Sequence, residues 1–392
     1  MHIGVNRFPL DANGSFGETC VISELEKADI NIAFGDVAAV TALAGSNKAE
    51  NKRNGARWIA SSSCLGAMSH LGTDKGESYL HVLSVADIDG GAGVASAELA
   101  PGKERAIAET TLVNAMQDAG KLGEMPSLVW LIVAPGNEEE VLNGLHGVLG
   151  DSVPIFGGSS ADNSIEGKWV QFDGNELHHN GIVVAVLYMS EPVSCYFSSG
   201  YEPTELSAQV TAGEGRIIYT LDGEPAGTVY NRWLNLLEQT PLEPGNILQA
   251  STFFPISRQQ GALSFGVPLL SHPARLNDDG SIELFASLEV GEQITLMNGQ
   301  PDNLIRRVTE VTEVVLQTHE LNYECRPQAI IIVFCGGCML AVKEHLDEIQ
   351  RSLLVLAQDV PFIVGFTFGE QGCFSDGISR HGNLMISATA IG

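Results

Sequence analysis

Two stretches of the chain repeat one order of apolar and polar positions. Residues 127–134, apolar from Leu128 on, and 329–334 are apolar runs, as expected of a strand buried on both faces. A helical period follows each. In the later copy Val342, Leu346, Ile349, Leu353 and Leu356 recur at steps of three and four and share one face. In the earlier copy residues 138–149 open with Glu138, Glu139 and Glu140, acids that suit a helix N-terminus. Both copies then run through Val-Pro into a short apolar strand ending at glycine, 153–157 and 360–365. After a polar loop they return past His179-Asn180-Gly181 or His381-Gly382-Asn383 into another apolar strand. This predicts a duplicated strand-helix-strand unit over 127–188 and 329–390. A fainter third copy leads from 56–60 through Ser61-Ser62-Ser63-Cys64 to a strand at 79–85.

Between the copies, Ala226, Val229, Trp233 and Leu236 mark an amphipathic helix that Pro225 can start. A Pro- and Gly-containing segment at 240–246 and short β runs at 262–270 and 282–288 follow. A further helix carries Leu304, Val308, Val311 and Val315 on one side. The expected fold is mixed α/β, with helix-covered sheets in two domains, 1–225 and 226–392, and the start of the first domain before residue 56 left open.

Composition adds to this picture mainly by exclusion. With 392 residues and 44% hydrophobic content, the chain can fill a sizeable core. Its 48 acidic against 21 basic residues give a formal charge of -27, which repels nucleic acid and anionic membranes. No apolar stretch approaches the roughly 20 residues that span a bilayer, and no export signal opens the chain, so membrane insertion is not expected and a cytoplasmic location is. Seven cysteines without an export signal read as thiols or ligands rather than as a disulfide framework.

Several separated motifs in order, 154–162 (PIFGGSSAD), 221–226 (LDGEPA) and 365–370 (GFTFGE) followed by His381, resemble the FIST family, with a FIST N and a FIST C domain. The resemblance implies a sensory, non-enzymatic signalling protein for a small ligand. It is nearest to a bacterial branch in which haem binds nitric oxide and the protein regulates a histidine kinase or cyclic-di-GMP signalling. A eukaryotic F-box branch implies instead a cofactor-free module that binds a protein partner.

The loop Gly157-Gly158-Ser159-Ser160-Ala161-Asp162 ends a strand, where glycines admit a ligand close to the backbone and Ser159 and Asp162 offer hydrogen bonds. A tight turn held by its own Asx and Ser bonds explains the same residues. Its counterpart contributes Phe366, Thr367 and Glu370 as candidate ligand contacts, and Phe368 as an apolar wall, with Glu370 otherwise bracing the next loop. For haem, His381 and His272 are the first candidate axial ligands, then His179 with its neighbour His178. Cys335-Gly336-Gly337-Cys338 ends a strand and opens a helix whose dipole is expected to lower a thiol pKa, so with Cys373 it suggests a zinc site or redox pair. Buried, inert cysteines are the alternative. No P-loop, GxGxxG, CxxCH, GxSxG or HExxH pattern is present, which argues against nucleotide binding, covalent haem and the familiar hydrolytic sites.

Overall fold

The apolar runs form strands buried on both faces, and they do so in three successive copies of one unit. The computed structural model describes residues 1–16, 28–49, 56–75, 77–258, 267–374 and 376–392. Unit 1 comprises β1 (His2–Pro9), β2 (Ile30–Gly35), α1 (Val37–Ala49), β3 (Arg57–Ser62), the hairpin β4 (Ala67–Ser69) and β5 (Gly72–Thr73), and β6 (Tyr79–Ala86). Unit 2 repeats the order of strands, with a helix between the first two: β7 (Gly91–Glu98), α2 (Glu104–Asp118), β8 (Leu128–Val133), α3 (Glu138–Leu149), β9 (Ile155–Ser159), the hairpin β10 (Gln171–Phe172) and β11 (Leu177–His178), and β12 (Gly181–Tyr188).

Unit 3 opens with β13 (Val193–Ser199) and is then interrupted. The inserted module holds β14 (Glu202–Glu214), β15 (Ile217–Leu221), β16 (Glu224–Pro225), α4 (Ala226–Leu236), β17 (Gly245–Asn246), α5 (Leu248–Ser251), β18 (Ile256–Arg258), β19 (Leu269–Ser271), β20 (Pro273–Leu276), β21 (Ile282–Leu284) and β22 (Gln293–Asn298). Unit 3 resumes with α6 (Pro301–Tyr323), β23 (Ala329–Cys335), α7 (Gly336–Ala341), α8 (Leu346–Ala357), β24 (Phe362–Thr367), the hairpin β25 (Gly369–Cys373) and β26 (Ser379–Gly382), and β27 (Met385–Ile391).

Each unit builds one six-stranded sheet, and each sheet is completed by the next unit's hairpin. The orders are β1-β6-β2-β3-β10-β11, β7-β12-β8-β9-β25-β26 and β13-β27-β23-β24-β4-β5. The exchange is cyclic. Backbone bonds close it at the strand ends: Ala161 N–H donates to Ser62 O, Phe368 N–H to Ser159 O and Cys64 N–H to Phe366 O, at 2.9, 3.0 and 2.9 Å. The middle strand and its partner run parallel in every unit because a helix carries the crossover.

Strand alternation explains the layers. In β8, Leu128, Trp130 and Ile132 face a core shared by all three sheets, with Phe34 and Phe334, while Val129, Leu131 and Val133 face the helices of unit 2. α3 covers them with Val141, Leu142, Leu145 and Leu149, each buried at a gain of about 1.5–3 kcal/mol.

The insert folds on its own core around Trp233, Val210 and Leu296. Its sheet joins β14–β16 to strands beyond residue 245, so the boundary expected at 225/226 falls within this one sheet. The expected β run at 262–270 lies partly outside the described residues. None of the described helices is long and apolar enough to cross a membrane.

Candidate functional site

The strand ends of units 2 and 3 open toward the insert, and between them lies a cavity of about 630 Å³. From the ring come Pro135 after β8, Trp169, Cys335 at the end of β23, Leu340 of α7 and Phe368 after β24; from the insert come Leu248, Thr252, Phe253, His272 and Phe285. Two edge-on aromatic pairs face it, Trp169 with Phe368 at 6.2 Å and His272 with Phe285 at 6.0 Å. Its size falls within the roughly 300–1,000 Å³ of small-molecule sites. Ile165, held at φ 57 where a β-branched residue is disfavoured, forms part of the rim.

A buried polar seam runs along one wall. Arg216 of the insert places one guanidinium nitrogen 2.8 Å from Glu138 and 2.9 Å from Glu139. Both glutamates sit in the first turn of α3, which favours their charge. Burial works to raise their pKa values, but the nearby His381 and Arg216 outweigh it, and Glu139 is lowered to about 2. Ser159 Oγ donates to Glu138 Oε1, and Ser287 N–H donates to Glu139 Oε1.

Of the three expected haem ligands, His272 alone lines the cavity. Its Nε2 lies 3.0 Å from Leu248 O, and burial lowers its pKa to about 4, so the imidazole is neutral at pH 7. His381 is buried away from the lining, with Nδ1 3.2 Å from Gln371 Nε2. His179 is exposed, and its neighbour His178 is bound by Glu98 and Ser96.

The paired strand-end loops do not both form walls. Gly157 and Gly158 lie in β9 against Leu131 and Thr367, and Asp162 accepts amides from Ser164, Ile165, Glu166 and Lys168. Its pKa is lowered because those amides outweigh burial. Phe366 packs on Phe334 in the shared core. Glu370 is fully buried, accepts from Thr367 Oγ1 and Met385 N–H, and has its pKa raised well above the usual carboxylate range by burial; it braces the hairpin and is not part of the cavity lining.

Burial overturns the expected thiol activation. Cys335 sits at the start of a six-residue helix, and desolvation with the neighbouring Cys338 pushes its pKa well above the usual thiol value. Cys373 lies apart beside Cys195 and Ser379, and among the described residues no cluster gathers Cys335, Cys338 and Cys373 around one point. The structure groups Glu138, Glu139 and His381 instead, their donor atoms within 4.8 Å of one another.

No motif in the sequence marks Trp169, Phe285, Arg216 or Glu138 as site residues. The acid run at Glu138 after an apolar strand is the one local signal, and helix-terminus chemistry accounts for it equally well. Arg216 and Phe285 belong to the insert, whose placement over the ring no local pattern encodes.

The FIST N domain matches residues 31–224 and the FIST C domain residues 226–373. An uncharacterized protein of Methanocaldococcus jannaschii is 32% identical over 161 residues, which cover 41% of this chain and 29% of that protein's length. A cyanuric acid hydrolase described as an innovation by structural concatenation aligns over 76% of this chain and 99% of its own, with 9% identity and a TM-score of 0.30. The cyanuric acid hydrolase of A. caulinodans aligns over 99% and 98%, also at 9% identity, with a TM-score of 0.38. Likenesses of that depth carry no argument about chemistry.

Proposed function

This chain belongs to the FIST family, whose domains are small-ligand sensors of signal transduction, and from that premise we propose that the cavity between ring and insert is its sensory site. The observation that carries this reading is the composition of the wall, drawn from both bodies and mainly aromatic and aliphatic. It suits a small, largely apolar molecule with a flat face. Arg216 is matched by two glutamates, which leaves Lys343 at the edge of the wall as its loosely paired cation, 4.0 Å from Glu344. Occupancy would bear on residues of both bodies and so bias the insert's position, which a kinase or cyclic-di-GMP regulator could read. A sensor also fits the condition of the cavity's nucleophile, since the Cys335 thiol is held protonated by burial.

Haem is a second reading, favoured by one observation: a neutral histidine, His272, on the cavity wall. His272 would hold the iron, and haem would supply a site for nitric oxide. The Leu248 O contact occupies Nε2, the nitrogen that would otherwise be available, and the paired Arg216 is poorly placed to hold propionates. Haem titration followed by absorption spectroscopy separates the readings. A Soret band lost in His272→Ala but kept in His381→Ala supports haem; weak, variant-independent haem uptake beside saturable binding of an uncharged aromatic probe supports the organic ligand.

A further inference from the structure

The polar seam holds a feature that the cavity's apolar half does not explain. Glu138, Glu139 and His381 converge, and His381 Nε2 is buried without a hydrogen-bond partner, 4.0 Å from Glu138 Oε2. A single Arg216 nitrogen lies between the two carboxylates, in the place of a cation. We propose that Glu138, Glu139 and His381 form a binding site for a divalent first-row transition-metal ion, which exchanges with the Arg216 guanidinium.

The donor set has the right chemistry. One imidazole and two carboxylates, with no sulfur, suit zinc, cobalt, manganese or iron(II), and two carboxylates balance a divalent charge. Glu138 Oε1 is taken by Ser159 and Glu139 Oε1 by Ser287, while Gly136 N–H reaches Glu138 Oε2 at 3.0 Å. Both Oε2 atoms are those on which Arg216 now rests, so displacing it frees one donor on each.

His381 needs its proton on Nδ1 to present a lone pair at Nε2, and Gln371 can provide for that. Gln371 Nε2 faces Nδ1 while its Oε1 is buried without a partner. Turning the amide over, an orientation that heavy-atom positions do not fix, lets Oε1 accept from Nδ1–H at the cost of the 3.3 Å bond from Gln371 Nε2 to Ser159 Oγ. This is the outer-shell bond that metal-bound histidines make. Arg216 and Glu138 both line the cavity, so the released guanidinium has room and the ion would border the ligand space. The site stands or falls independently of what the cavity binds.

The test is titration of chelator-stripped full-length protein with Co²⁺, followed by visible absorption and by competition with Zn²⁺. Saturable binding with weak bands of oxygen and nitrogen ligation is expected. Gln371→Leu should weaken it about 10–100-fold, and Glu139→Gln more than that. Arg216→Met should tighten it about tenfold, because the competing cation is gone. Glu139 is partly exposed, so its variant serves if His381→Ala fails to fold. Absence of saturable binding in both wild type and Arg216→Met overturns the proposal. So does binding unchanged in Glu139→Gln, or an intense thiolate-to-cobalt band that places the ion on cysteines.

Discussion

His272 couples the cavity wall to pH. The unfolded chain protonates this residue near the ordinary 6.5, whereas the folded chain resists until about 4 because burial disfavours the cation. The unfolded state therefore binds more protons between these values, and stability rises with pH across that window. The contribution is complete above 6.5 and is lost as pH falls toward 4, amounting to about 3 kcal/mol. Urea unfolding at pH 7 and pH 4.5 should show a smaller loss for His272→Gln than for wild type; equal losses would contradict the buried neutral imidazole. The thiols make a second residue-scale prediction. Burial raises Cys64 and Cys195 to about 12 and Cys335 well above its usual value, while Cys325 is exposed. Brief alkylation of native protein at pH 7, read by mass spectrometry, should modify Cys325 and spare those three. Rapid loss of the Cys335 thiol would restore the redox reading.

At the scale of elements, the cyclic exchange of hairpins makes strand ends the most constrained parts of the ring. Gly157 has φ 149, and a Cβ there would lie 1.8 Å from Leu131 O. Gly157→Ala is expected to cost more than about 3 kcal/mol, seen as a large drop in Tm or as insoluble protein. A near wild-type Tm would show that β8 and β9 pair differently. These elements were also the most legible in the sequence. The runs at 128–133 and 329–335, the acid-started helix at 138–149 and the α6 face of Leu304, Val308, Val311 and Val315 are local patterns that burial requires directly. The copy at 56–85, which is unit 1, is faint because β2 is only INIAFG, and the opening strand of unit 3 is hidden because the insert separates β13 from β23. The CxxC is plain in the sequence, but position at a helix start suggests activation and only packing reveals the desolvation that opposes it.

At the scale of the whole molecule, ring and insert are joined by Arg216 on Glu138 and Glu139, Ser287 on Glu139, and Arg258 on the His381 carbonyl. Removing Arg216 leaves a buried carboxylate uncompensated, so in the absence of metal Arg216→Ala should lower stability by about 3–5 kcal/mol, measurable by denaturant unfolding. A change below about 1 kcal/mol would mean that the seam does not hold the bodies together. The cavity behind this seam takes, in our reading, a small apolar ligand. Fluorescence titration with Nile red, an uncharged aromatic probe, on wild type and on Thr252→Trp, which puts an indole into the cavity beside His272, tests this. Saturable binding by wild type that is lost in a variant keeping its Tm is expected; equal binding by both proteins, or none by wild type, would rule out an apolar ligand site in this cavity.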